Sequence, residues 1–198
     1  MQNIAKSGED VTLYCTVSSA PSHWVNSINP IGHKCLTMTS AKPTLVFCGG
    51  SGIIPPLSSI LSSFKNERVI IALGTNSLIS EKVDPSYKIL MKNIRRNESS
   101  CLWIAPPHMN AYQSKGFALG RVAKIEKNLN NFYDSLAESV EKNCPLVESR
   151  EATAPKTPGN ETIDGIHRTE SAGKHWADAI MSQLTPQKNI LPVEAGVK

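Results

Sequence analysis

The rhythm of hydrophobic and polar positions changes near residue 43. Before it, Val11-Thr12-Leu13-Tyr14-Cys15-Thr16-Val17 alternates and is β-prone, which predicts one strand. Residues 18–40 are rich in Ser, Pro, Asn and Gly and read as loop. Beyond residue 43, apolar strand-length runs alternate with helical patterns. Thr44-Leu45-Val46-Phe47-Cys48 is continuous and apolar and stops at Gly49-Gly50-Ser51-Gly52, the pattern of a buried parallel strand entering a tight turn. Residues 55–64 space Leu57, Ile60, Leu61 and Phe64 as one helix face. Val69-Ile70-Ile71-Ala72-Leu73 is a second buried strand, followed by Gly74-Thr75-Asn76-Ser77.

Residues 84–97 form an amphipathic helix with Tyr87, Leu90, Met91 and Ile94 on one side, Asp84 as its cap and Pro85 in its first turn. Cys101-Leu102-Trp103-Ile104-Ala105 is a third strand, closed by Pro106-Pro107. Residues 120–143 read as a long helix whose apolar stripe is Val122, Ile125, Leu129, Phe132, Leu136 and Val140. Leu146-Val147 marks a short fourth strand, and residues 151–163 are Pro, Thr and Gly rich and read as loop. Thr169 or Ser171 caps a last helix through Leu184, with Trp176, Ile180 and Leu184 inward. This alternation predicts an α/β fold with a mostly parallel central sheet and helices on both faces. Residues 1–42 are then an N-terminal extension, one strand plus loop on the sheet edge; residues 43–184 are the main domain; residues 185–198 are a flexible tail.

Composition narrows the function classes. A net charge of +4, with Lys and Arg spread along the chain, gives no nucleic-acid footprint. The tightest cluster, Lys92, Arg95 and Arg96, falls on a predicted helix and reads as a solvated face. The apolar runs are far shorter than a membrane span, and the first residues lack the continuous apolar stretch of a signal peptide. None of the 5 cysteines forms a C-x-x-C pair, so no metal site is expected. Cys15 and Cys35 could close an N-terminal loop, Cys101 and Cys144 could meet at the starts of two strands, and Cys48 reads as a buried free thiol. That arrangement suits a secreted or periplasmic protein, with a cytoplasmic one as the alternative.

In an open α/β sheet, reactive groups collect where strands end. Ser51 sits in a glycine-rich turn between a strand and a helix, where its hydroxyl is exposed and its N–H can meet an oxyanion. Asn76 ends the next strand and has a side-chain amide that could donate to the same oxyanion. Asp164 and His167, three apart, could supply a base and the acid that fixes its tautomer. His108 follows Pro106-Pro107 and is a candidate substrate contact; His23, His33 and His175 are competing bases, His175 on a helix surface. The bland readings are a glycine-rich connector or phosphate loop at Ser51, a turn asparagine at Asn76, and a helix cap at Asp164.

Gly49-Gly50-Ser51, Gly74-Thr75-Asn76-Ser77 and Asp164-Gly165-Ile166-His167 follow the order of the G-D-S, G-x-N-D and D-x-x-H motifs, and residues 43–184 resemble the SGNH (GDSL-type) hydrolases. The resemblance implies a three-layer, flavodoxin-like domain. It implies Ser51 as nucleophile, His167 as general base and acid, Asp164 as the orienting carboxylate, and Asn76 with the Ser51 N–H as oxyanion donors. Gly50 and Ser77 stand where the family has aspartates. The short interval from Ser51 to Asn76 leaves no room for the strand and glycine donor the family usually inserts there. The strand at residues 11–17 could fill that sheet edge, and Gly32 or Gly52 could replace the donor.

The resemblance implies a serine esterase acting on a small ester or an O-acetylated carbohydrate or cell-wall glycan, with Gly52 and His108 binding substrate. It implies no metal or organic cofactor. Trp103 and Tyr112 are aromatics near the predicted rim, Trp103 with a competing place in the core. The rival expectations are a glycan- or partner-binding protein on the same fold without catalysis, and a nucleotide-binding flavodoxin-like module.

Overall fold

The structure, a computed structural model, describes residues 11–15, 19–28, 36–39, 46–47, 54–63, 67–78, 82–109, 118–140, 144–154 and 161–184. Its strands form two sheets. β1 (Thr12–Cys15), β2 (Leu36–Thr39) and β3 (Val46–Phe47) make an antiparallel sheet in the order β1-β2-β3. β4 (Arg68–Ile71), β5 (Ser100–Ile104) and β6 (Leu146–Val147) make a parallel sheet with β5 in the middle. The helices are α1 (Pro21–Asn26), α2 (Leu57–Ser62), α3 (Ser86–Arg96), α4 (Ala118–Val140), α5 (Arg150–Thr153) and α6 (Glu170–Leu184).

The chain is thus mixed α/β with a three-stranded parallel sheet. Two expectations are corrected. The apolar run around Val46 does not join the parallel sheet; it pairs antiparallel with β2, and β1 also pairs with β2 rather than filling an edge beside β4. Strands adjacent in sequence tend to pair, and β2 lies in the stretch read as loop, where it offers β1 and β3 a nearer partner. That stretch also contains α1, begun by Pro21 in its first turn. A smaller difference is α5, a short helix at the start of the segment read as loop.

The central strand β5 is covered on both faces, whereas β4, expected to be a buried strand, leaves Arg68 and Ile70 exposed. Cys101, Trp103 and Ala105 belong to the main core with Tyr87, Leu90, Met91 and Ile94 of α3 and the whole stripe Val122, Ile125, Leu129, Phe132, Leu136 and Val140 of α4. Leu102 points the other way, into a second cluster with Val147 and Ile180, flanked by Ile104, Trp176 and Leu184. The side-chain alternation of a strand therefore divides β5 between two cores. Trp103 is fully buried, with its ring stacked on Tyr87 at 5.1 Å, so it belongs to the core and offers no platform for a sugar. Truncating a ring such as Phe132, which also meets Tyr87 edge-on, typically costs about 3–5 kcal/mol.

Local sequence sets the helix starts. The Asp84 carboxylate accepts from the Ser86 N–H at 2.7 Å and from the Ser86 hydroxyl, which begins α3. The Thr169 hydroxyl accepts from the Ala172 N–H at 3.2 Å at the start of α6. None of the helices among the described residues is long and apolar enough to cross a membrane.

Cys101 and Cys144 form a disulfide between the starts of β5 and β6, with Cα atoms 4.9 Å apart. Cys15 is a free thiol, so it does not close a loop with Cys35; Cys35 and Cys48 lie outside the described residues. The bridge spans 43 residues, enough that closing the loop restricts the unfolded chain substantially. Reduction, or a paired Cys101→Ala/Cys144→Ala change, should lower unfolding free energy by about 2–4 kcal/mol. Denaturant titration with and without reductant measures this, and coincident midpoints would show that the bridge contributes nothing.

Candidate active site

The parallel register brings the ends of β4, β5 and β6 to one edge, and each exit is fastened by an aromatic side chain. Trp103 Nε1 donates to the Leu73 carbonyl oxygen after β4 at 3.1 Å. The Tyr133 hydroxyl, on α4, donates to the Pro106 carbonyl oxygen after β5. Trp176 Nε1, on α6, donates to the Ser149 hydroxyl oxygen after β6 at 2.9 Å. The first two exits also touch. Gly74 has φ +127°, and a Cβ there would lie 3.3 Å from the Tyr87 hydroxyl oxygen and 3.5 Å from Pro106 Cγ. The turn after β4 thus lies in van der Waals reach of the turn after β5, and its positive φ is the backbone conformation that glycine adopts without strain.

Asp164 and His167 occupy a bend just before α6. Thr162 and Arg168 close it as an antiparallel bridge, and the Ile163 N–H donates to the His167 carbonyl oxygen at 2.7 Å. Gly165 turns the backbone with φ +91°, and its N–H donates to Thr162 Oγ1 at 3.0 Å. Within this bend Asp164 Oδ1 accepts from the N–H groups of Ile166 and His167 at 2.9 and 2.8 Å. Asp164 Oδ2 lies 2.8 Å from His167 Nδ1. The carboxylate is thereby aimed by backbone donors before it meets the imidazole.

Burial works against ionisation of Asp164, but the His167 N–H, the His167 ring and the Ile166 N–H outweigh it. They bring its pKa from the usual 3.8 to about 2. With Nδ1 engaged, Nε2 is the ring nitrogen left to act on a hydroxyl. The imidazole side chain is 75% exposed and the carboxylate 38%, so the pair is accessible to a bound substrate.

The bend is tied to the β5 exit by Arg168. Its Nη2 donates to the His108 carbonyl oxygen at 2.6 Å. The His108 N–H in turn donates to Thr153 Oγ1 at 2.9 Å, and that hydroxyl donates to the Ser149 carbonyl oxygen at 2.6 Å. Beside this chain Arg150 forks onto Glu148 Oε2 through Nε and Nη2 at 3.0 and 2.7 Å and lies over the Tyr133 ring at 4.5 Å. Burial, then the charges of Arg150 and Arg168, lower the His108 pKa against the smaller pull of Glu148. His108 is therefore predominantly neutral at pH 7 and can donate or accept a hydrogen bond.

Of the residues singled out in the sequence, the structure brings Asp164 and His167 together and sets His108 on the same edge. Asn76 lies in the 3₁₀ turn Thr75–Ser77 after β4. Its Nδ2 donates to the Ser19 carbonyl oxygen at 3.2 Å, leaving its second N–H for another acceptor. Ser51 and Gly52 lie outside the described residues, as do Gly32, His33 and Tyr112. His23 Nδ1 accepts from the Ala20 N–H at 2.9 Å, a local cap on α1, and His175 is exposed on α6. Arg168, Arg150, Glu148 and Tyr133 were not marked by the sequence pattern. The adjacency of Arg168 to the Asp-x-x-His segment was the one available signal, and it does not tell which way the side chain turns.

No family model matches the chain. It is similar to Protein BcsX of Komagataeibacter xylinus, with 24% identity over an alignment that covers 92% of this chain and 68% of that protein. The likeness is that of a distant relative whose alignment runs along nearly the whole chain.

The hydrogen-bond pattern around Asp164 sets its pH response. A carboxyl held at low pKa contributes stability above pH 3.8, and that contribution fades as pH falls toward about 2. In His167→Ala the ring is lost but both backbone donors remain. The Asp164 carboxyl midpoint, followed by carbon NMR, should rise yet stay below the ordinary value. An unmoved midpoint would show that the imidazole does not stabilise the carboxylate.

Proposed function

We propose that the protein is a serine esterase that removes an acyl group, foremost an O-acetyl group on a carbohydrate or cell-wall glycan, through an acyl-serine intermediate. The observation that carries this reading is the 2.8 Å contact of Asp164 Oδ2 with His167 Nδ1 at the carboxyl edge of a parallel sheet. The resemblance of the Ser51, Asn76 and Asp164–His167 segments to the SGNH hydrolases supports it. The refinement of the α/β fold that matches these segments is the three-layer SGNH arrangement, against which stands the pairing of β3, the strand before Ser51, outside the parallel sheet.

In this mechanism Ser51 Oγ attacks the ester carbonyl carbon while His167 Nε2 takes its proton, and Asp164 stabilises the resulting imidazolium. The Asn76 amide and the Ser51 N–H hold the tetrahedral oxyanion. His167 gives the proton to the departing sugar oxygen. Water, deprotonated by His167, then attacks the acyl-serine and releases the carboxylic acid. Gly52 and the neutral His108 contact the substrate, His108 through hydrogen bonds to sugar hydroxyls. No metal or organic cofactor enters these steps. The Cys101–Cys144 pair supports an oxidising compartment, secreted or periplasmic.

A second reading, a glycan-binding protein without catalysis, draws support from Gly50 and Ser77 in place of aspartates and from the tie of Asn76 to Ser19. Hydrolysis of p-nitrophenyl acetate and of acetylated xylan oligosaccharides separates the two. The wild type should turn over both and be labelled at Ser51 by a fluorophosphonate. Ser51→Ala should abolish both, Asp164→Asn should lower kcat by about 10⁴-fold, and Asn76→Ala should lower it by about 10²–10³-fold. Equal rates in wild type and Ser51→Ala would remove Ser51 from the chemistry. Saturable oligosaccharide binding without turnover would favour the binding protein.

A further inference from the structure

We infer that Arg168 is a positioning residue for His167, holding the Asp164–His167 bend against the β5 exit through its hydrogen bond to the His108 carbonyl oxygen. The inference rests on the reading of His167 as the catalytic base. The bend is internally complete: the Thr162–Arg168 bridge, the Ile163 N–H to His167 bond and the two backbone donors to Asp164 all lie within a few residues of one another. Those bonds fix the imidazole relative to the carboxylate. They do not fix either group relative to the turns after β4 and β5, which carry Asn76 and His108. A side-chain bond that crosses from the bend to those turns is Arg168 Nη2 to His108 O, at 2.6 Å.

The arrangement is a poor one for stability. Arg168 Nε and Nη1 are closed off from solvent and have no hydrogen-bond partner among the described residues. The carboxylate in this cluster, Glu148, has Oε2 taken by Arg150 and Oε1 by the N–H groups of Ser149 and Arg150. Leaving a charged donor buried and unsatisfied is unfavourable, and an apolar side chain of the same length is often as stable or more so. A methionine here would remove that burden while cutting the tie to His108, so stability and positioning should move in opposite directions.

The test compares wild type, Arg168→Met and Arg168→Lys. Arg168→Met should melt at or above the wild-type temperature. Its kcat on p-nitrophenyl acetate should fall about 10–10²-fold, as expected for a reacting group displaced by about 1 Å, with little change in KM. Arg168→Lys, which keeps a donor for the His108 oxygen, should recover part of the loss. Independently of turnover, amide order parameters of residues 164–167 should fall in Arg168→Met while the Asp164 carboxyl midpoint stays low. A lower melting temperature with wild-type kcat and unchanged order parameters would make Arg168 a stability residue and overturn the inference. If wild type shows no Ser51-dependent turnover, the esterase reading fails, and the order parameters alone decide whether Arg168 holds the bend.

Discussion

A parallel strand pair has both of its carboxyl ends on the same side, and β5 is paired in parallel with β4 and with β6. That register decides where the turns after these three strands gather. The turns at Gly74, Pro106 and Glu148 leave the sheet at one edge, and the chain then returns to the same edge with the Asp164–His167 bend. Because β5 is packed on both faces, by Trp103 against α3 and α4 and by Leu102 against α6, a shift of register would turn each side chain into the wrong core. The position of the edge is therefore fixed by packing some distance from the polar groups that use it.

On that edge, the carboxylate–imidazole pair gets its geometry from the backbone more than from charge. An exposed ion pair contributes little by itself, and His167 is well exposed. Two N–H groups on Asp164 Oδ1 hold the carboxylate, and Gly165 supplies the backbone turn that points them there. Of the cations, Arg150 is as exposed as Asp164, at 39% against 38%, and Arg168 sits inward. Arg150 is satisfied by Glu148 and the Tyr133 ring, whereas Arg168, among the described residues, finds a partner through Nη2 and none for Nε or Nη1. His167, the most exposed of these groups, is the one that would meet substrate, and the poorly satisfied Arg168 lies behind it.

Much of this was legible in the sequence from residue 54 onward. The stripe Val122 to Val140 reads cleanly because α4 buries one face against a sheet and leaves the other in water. The strand at Cys101 to Ala105 reads as continuous because both of its faces are covered. The N-terminal part was less legible for a physical reason. An apolar run says that a strand is buried but not which partner it takes, so the segment at Val46 could not be assigned to either sheet before β2 was known. At the site, Asp164 and His167 could be paired from spacing because their contact is local. Arg168 to His108 joins residues 60 positions apart, and Tyr133 to Pro106 joins residues 27 apart; no local pattern encodes either.

These distant ties share a chemical form that explains how the edge stays open and ordered at once. A ladder ends where the strands part, and the carbonyl groups just beyond it lose their partners. Small polar side chains at those points would admit water to the core. Trp103, Tyr133 and Trp176 instead bring a large apolar body with one donor at its tip. The Trp103 and Tyr133 rings fill the main core and Trp176 flanks the second cluster, while the donors reach the carbonyl oxygens of Leu73 and Pro106 and the hydroxyl of Ser149. Each ring links the volume of the core to the direction of one exit, so a loss of packing beneath the sheet would be felt as a change in the turn above it. Residues with no contact to Asp164 or His167 thereby set the edge on which that pair is held.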